Sequence, residues 1–124
     1  MSGKIKVLIA EDSSVILNLT KKILEFQNCE IHPAKNGQMV LQMLESGDFH
    51  VILMDINMPG MDGIACTAAI RKLADPQKAS VPIIAITGNA KNYSREEFIA
   101  QGFNDFLQKP INFDVLVEKV KQYS

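Results

Sequence analysis

The chain has 124 residues, 47% of them hydrophobic and 22% charged. That is enough for one domain with its own core, too little for two, and too apolar for a disordered chain. Thirteen basic residues against 14 acidic ones leave a net charge of −1, so no broad positive field exists to hold a nucleic-acid backbone. No apolar run approaches the ~18 residues of a membrane span, and the N-terminus lacks the apolar core of a signal peptide. A cytoplasmic protein is expected. Cys29 and Cys66 fit none of the paired zinc or redox spacings and read as buried free thiols.

Short apolar runs alternate with helical patterns along the chain. Lys4 to Ala10 reads as a buried strand. A helical pattern runs from Ser14 to about Gln27. On a helical wheel its Val15, Ile16, Leu19, Ile23 and Phe26 form one stripe, with Leu17 and Leu24 nearly opposite. Cys29 to Ala34 is a weaker, edge-like strand. Asn36 can cap a helix ending near Ser46, where Gly47 is expected to supply a left-handed stop. His50 to Asp55 is the strongest central strand.

Asp62 can cap a helix from Gly63 to about Leu73, and Pro82 to Thr87 is the next strand. Ser94-Arg95-Glu96-Glu97 has capping-box spacing, so a helix starts there and stops at Gly102. Apart from Phe98, Ile99 and Ala100 it offers few core anchors. Asp105 to Gln108 is a short strand. Asn112 caps a last helix with Phe113, Leu116, Val117 and Val120 on one face. Five strands alternating with five helices predict an α/β fold, an open doubly wound parallel sheet covered on both sides.

In such a sheet the functional crevice lies at the carboxyl ends of the strands. The first strand ends in Glu11-Asp12, and the third in Asp55 with Asn57 two residues on. The fourth ends in Thr87, and Lys109-Pro110 follows the fifth. Crowded carboxylates repel, by about 4 kcal/mol for two charges ~4 Å apart at an effective dielectric near 20. Lys109 supplies one positive charge, which is not enough. A hard divalent ion that takes oxygen ligands is the natural complement. The cluster therefore suggests an Mg²⁺ site prepared for a phosphoryl group.

Four segments carry a resemblance over the whole chain. They are Ile9-Ala10-Glu11-Asp12-Ser13, Leu53-Met54-Asp55-Ile56-Asn57-Met58-Pro59-Gly60-Met61-Asp62-Gly63, Ile86-Thr87-Gly88-Asn89-Ala90 and Phe106-Leu107-Gln108-Lys109-Pro110. In this order they resemble the receiver domain of two-component response regulators. The resemblance implies strand order 2-1-3-4-5 and a phosphoryl group taken from a phosphohistidine onto Asp55. The donor would be a histidine kinase or a histidine phosphotransfer protein. Asp12 would bind Mg²⁺ directly, Glu11 through water and Asn57 by its backbone carbonyl. Thr87 and Lys109 would each bind a phosphoryl oxygen, and the Lys109–Pro110 bond would be cis. Such a domain catalyses its own modification rather than turning over a substrate.

Three small departures from the family pattern are Glu11 where an aspartate often opens the acid pair, Gly88 after Thr87, and Phe106 at the switch aromatic, often tyrosine. The chain's end after the last helix favours a stand-alone receiver acting on a downstream target protein. Leu73-Ala74-Asp75-Pro76 instead resembles receivers of hybrid kinases. A haloacid dehalogenase-type phosphatase would need an acid where Asn57 stands. A degenerate receiver typically lacks an acid or the lysine, and a flavodoxin-like carrier would need a Ser/Thr/Gly-rich loop after the first strand.

Two further expectations follow, the first from the residues and the second from the switch positions that the resemblance implies. Leu17 and Leu24, opposite the larger stripe, are expected to be exposed and to dock a helical donor. Phosphorylation is expected to draw in the Thr87 hydroxyl, letting Phe106 turn inward and the connection from Gly88 to Tyr93 move.

Overall fold

The computed structural model describes residues 4–58, 60–88 and 94–124. The central apolar run becomes β3 (Val51–Asp55), buried at every residue. A strand buried on both faces needs helices above and below it, which parallel crossovers supply. Around it lie β1 (Ile5–Ala10), β2 (Cys29–Ala34), β4 (Ile83–Thr87) and β5 (Asp105–Gln108). All pairings are parallel, in the order β2-β1-β3-β4-β5.

The helices are α1 (Ser14–Glu25), α2 (Gly37–Ser46), α3 (Gly63–Arg71), α4 (Pro76–Ala79), α5 (Arg95–Ala100) and α6 (Phe113–Tyr123). Strand alternation divides the core into two layers. Leu8, Ile52, Met54 and Ala85 pack with Val40, Leu44, Cys66, Ile70 and Phe98 of α2, α3 and α5. Val7, Ile9, Leu53 and Ile84 pack with Leu17, Leu24, Leu116 and Val120 of α1 and α6. No helix among the described residues is long and apolar enough to cross a membrane.

Side chains start the helices as expected. The Asn36 side chain accepts the Met39 N–H at 2.9 Å, and Asp62 accepts that of Ala65 at 2.7 Å. Ser94 and Glu97 form a full capping box. Gly102 ends the α5 segment with φ of 105°, a left-handed conformation suited to glycine.

Four expectations are corrected. Gly47 does not supply a left-handed stop: it is extended, with φ of −159° and ψ of 170°. A sixth helix, α4, stands between α3 and β4. Asp75 caps it and Pro76 occupies its first turn. The third correction is the rotation of α1. Leu17 and Leu24 are buried, while Val15, Leu19 and Phe26 are 77%, 48% and 89% exposed. The helix buries Leu17, Thr20 and Leu24, a spacing of three and four that makes one face. The sheet side of α1 is set by its entry from β1 and by contact with β2 and α6, not by which stripe has more apolar residues. Leu17 and Leu24 therefore cannot be an exposed dock. In α5, likewise, only Phe98 is buried, and Ile99 and Ala100 face outward.

Two long cations fix the inserted α4. The Arg71 guanidinium donates to the carbonyls of Ala79, Val81 and Gly102 at 2.8, 2.7 and 2.9 Å, and to Asn104 Oδ1 at 3.0 Å. Lys78 Nζ donates to the last carbonyls of α2, those of Leu44 and Glu45. These bonds satisfy backbone oxygens at the C-terminal end of α2 and around the start of β4.

Candidate functional site

The ends of β1 and β3 place the acidic residues side by side. Asp55, the last residue of β3, is 1% exposed, and Glu11, just past β1, is 2% exposed. The Glu11 N–H continues the sheet by donating to the Ala34 carbonyl at 3.0 Å. Asp12 follows in solvent. One carboxylate oxygen from each of Glu11, Asp12 and Asp55 lies within 4.8 Å of the other two.

Backbone amides orient two of these groups. Asn57 N–H donates to Asp55 Oδ1 at 3.0 Å, and Ser13 N–H donates to Glu11 Oε2 at 3.2 Å. The chain can turn sharply after Asp55 because α3 begins with a residue that has no side chain. A Cβ on Gly63 would stand 2.4 Å from the Asp55 carbonyl oxygen, and the Gly63 N–H donates to the Ile56 carbonyl at 2.9 Å.

Lys109 approaches from the other side. Its Nζ lies 3.4 Å from Asp55 Oδ2 and 3.9 Å from Glu11 Oε1. Its backbone N–H donates to the Thr87 carbonyl at 2.8 Å, so β4 and the residue after β5 are tied at the pocket. The Lys109–Pro110 bond is cis. Thr87 is buried at the end of β4. Asn57 is exposed beside the pocket. A cleft of about 530 Å³ opens next to Asp12, lined in part by Lys35, Asn36, Gly60 and Met61.

One ammonium does not neutralise these carboxylates. The Glu11 carboxyl is pushed up to about 7, first by burial and then by its hydrogen bond to Asp55, against the opposing pull of the Ser13 N–H. Burial disfavours the charged form there, and the single ammonium of Lys109 does not offset it. The donor set is all oxygen and anionic, which fits a hard divalent cation such as Mg²⁺ and not a soft metal.

Phe106 lies on β5 beside Ala85 of β4. It is half-buried, and its ring stacks on that of Phe98 with centroids 4.7 Å apart and planes 17° from parallel. Residues 89–93, which carry most of the connection expected to move, lie outside the described residues.

The chain matches the family model of the response regulator receiver domain over residues 7–121. It belongs to that family. Among curated relatives, hybrid signal transduction histidine kinase I of Dictyostelium discoideum is 35% identical over 120 residues, 93% of this chain and 7% of that protein. The receiver thus spans a small part of such relatives. Among solved structures, the receiver domain of the sensor histidine kinase PA1611 from Pseudomonas aeruginosa is 29% identical, with a TM-score of 0.86 over 98% of each chain. That structure has a magnesium ion coordinated in the active site cleft. The Saccharomyces cerevisiae receiver of Ssk1, crystallised with the histidine phosphotransfer protein Ypd1, is 27% identical, with a TM-score of 0.85. The match covers 99% of this receiver and 90% of that chain.

The sequence expectations about the pocket concern Glu11, Asp12, Asp55, Asn57, Thr87 and Lys109, and all six stand at one edge of the sheet. The arrangement missed by sequence reading is a third buried carboxylate, Asp105, which opens β5 at the end away from the pocket. Its oxygens accept from Lys119 Nζ at 2.7 Å, Tyr123 OH at 3.0 Å and the Phe106 N–H at 2.8 Å, and Arg95 Nη1 lies 3.4 Å away. An acid opening a strand, with Lys and Tyr one helical turn apart at 119 and 123, was the available signal.

Proposed function

We propose that this receiver accepts a phosphoryl group on Asp55 from a phosphohistidine and passes the signal to a protein target. The observation that carries the reading is the convergence of three carboxylates within 4.8 Å, one of them 3.4 Å from the Lys109 ammonium. The step forms a bond between an Asp55 carboxylate oxygen and phosphorus. It breaks the phosphorus–nitrogen bond of the donor, and the imidazole leaves with the bonding electron pair.

Each residue has a physical task. The Asn57 N–H holds one Asp55 oxygen, so the carboxylate presents one edge to the phosphoryl group. Lys109 reaches Asp55 and pairs with a phosphoryl oxygen as negative charge accumulates. The Thr87 hydroxyl donates to another. Asp12 and Asp55, with Glu11 through water and the Asn57 carbonyl, would hold Mg²⁺. Bound there, the cation supplies charge neutralisation for a loose phosphoryl-transfer transition state. The residues thus promote modification of their own domain rather than turnover of a substrate.

The donor's helix docks on the face that α1 does expose. A groove of about 240 Å³ runs between Ile16 and Leu19 of α1 and Pro110, Ile111 and Phe113. Lys109 lines both this groove and the acid pocket, so a helix seated in it brings a histidine next to Asp55. Val15 and Leu19 supply apolar contact at helical spacing. The complex of the similar yeast receiver with a histidine phosphotransfer protein supports this partner class.

The test is labelling by acetyl phosphate in Mg²⁺. Wild type gains an acid-stable, base-labile adduct, and Asp55→Ala gains none. Undiminished labelling of Asp55→Ala overturns the reading. Val15→Ser with Leu19→Ser is expected to slow transfer from a phosphorylated histidine phosphotransfer protein at least tenfold and to leave acetyl phosphate labelling intact. Equal transfer rates overturn the dock.

A further inference from the structure

β5 is the last strand of the sheet and pairs only with β4. Its alternation sends neighbouring side chains to opposite layers. Phe106 joins Phe98 and the α5 layer, while Leu107 joins Leu116 and Val120 of the α6 layer. Asp105 goes with Leu107, to Lys119 and Tyr123 of α6. Arg95 is the first residue of α5, in the opposite layer, yet its guanidinium reaches the same carboxylate at 3.4 Å. The side chain therefore crosses the open edge of β5 and ties one helical layer to the other.

We propose that the Arg95–Asp105 contact is a releasable strap that holds α5 in place and opposes the phosphorylated form of the Asp55 pocket. The inference rests on the phosphoacceptor reading above. Three observations support it. First, α5 is six residues long, with Phe98 its one buried side chain. Segments with so few buried contacts open at low cost.

Second, release leaves nothing stranded. Without Arg95 the buried Asp105 carboxylate keeps Lys119, Tyr123 and the Phe106 N–H. Arg95 is already 58% exposed and returns to water. A contact whose loss orphans no buried charge can open and close reversibly.

Third, β5 reaches the pocket directly. Asp105 opens this strand, and Lys109 follows its last residue. Lys109 Nζ stands 3.4 Å from Asp55, and its N–H is bonded to the Thr87 carbonyl. A phosphoryl group that draws on Lys109 and Thr87 pulls on the far end of the strand that carries the strap.

The experiment compares wild type, Arg95→Gln and Arg95→Lys in the full chain. The first readout is amide hydrogen exchange in α5 against α6. The second is acetyl phosphate labelling rate together with affinity for beryllium trifluoride in Mg²⁺. Exposed ion pairs are weak, so the expected effects are about threefold. In Arg95→Gln, α5 amides exchange about threefold faster with α6 unchanged, and the phosphoryl mimic binds about threefold more tightly. Arg95→Lys stays near wild type. Unchanged α5 exchange, exchange raised equally in α6, or unchanged affinity for the mimic overturns the strap. A wild-type chain that takes no label overturns the phosphoacceptor reading, and the coupling with it.

Discussion

Asp55 and Asp105 are both buried carboxylates, yet their surroundings are opposite. Asp55 shares its pocket with two more carboxylates and one ammonium. Asp105 has two cations and a phenol to itself. The first is short of positive charge and suits an incoming cation and phosphoryl group. The second is saturated by the protein's own groups and acts as a fastener. Burial alone therefore does not mark a reactive carboxylate. The charge balance of its neighbours does.

The largest expected difference is in stability without metal. Asp105→Asn weakens the charged hydrogen bonds to Lys119 and Tyr123 and is expected to cost about 2 kcal/mol, as when hydrogen bonds to a charged group are lost. Asp55→Asn relieves repulsion and is expected to be neutral or stabilising by about 1 kcal/mol. Urea unfolding of both variants checks this, and the reverse order breaks the contrast.

A second, smaller effect sharpens it. Mg²⁺ at ten times its dissociation constant is expected to stabilise wild type by about 1.4 kcal/mol through binding to the folded state. Asp12→Ala and Asp55→Ala should lose most of that gain, and Arg95→Gln should keep it. Thermal unfolding across an Mg²⁺ series is the measurement.

The smallest effect is in acid. Desolvation pushes the Asp105 carboxyl up, but Lys119, the Phe106 N–H and the Tyr123 hydroxyl outweigh it and hold the group below its ordinary 3.8. A carboxyl depressed on folding stabilises the fold above its unfolded pKa. That contribution is lost as pH falls below the ordinary value and through the folded one. Wild type should thus lose stability on acidification below about pH 4 more steeply than Asp105→Asn. Parallel acid limbs would contradict the assignment.

Much of this was legible in the sequence, for identifiable reasons. Strand bounds at Cys29–Ala34 and Asp105–Gln108 match those of β2 and β5, and Asn36, Asp62, Ser94 and Asn112 cap as their types dictate. Pocket residues could be placed because a parallel sheet gathers the carboxyl ends of its strands on one edge. The rotation of α1 could not. Its apolar residues form two stripes, and only the tertiary neighbours decide which one is buried. Counting favoured Val15, Leu19 and Phe26, which the fold leaves exposed. The α4 helix was missed although Asp75-Pro76 is a cap followed by a first-turn proline. The Asp105 cluster was missed because Arg95, Lys119 and Tyr123 meet only after α5 and α6 have packed on opposite layers.

The bonds of Arg71 and Lys78 have a consequence for protein engineering. The segment from Leu73 to Pro82 looks like a loop that could be exchanged between homologues. Its ends, however, are wired to distant parts of the chain, through Arg71 to Gly102 and Asn104 and through Lys78 to the end of α2. A chimera that imports a shorter connection without Lys78 leaves the Leu44 and Glu45 carbonyls of α2 without their donor, and it takes from Arg71 its acceptors at Ala79 and Val81. The transferable unit is the connection together with Arg71, Lys78 and Asn104.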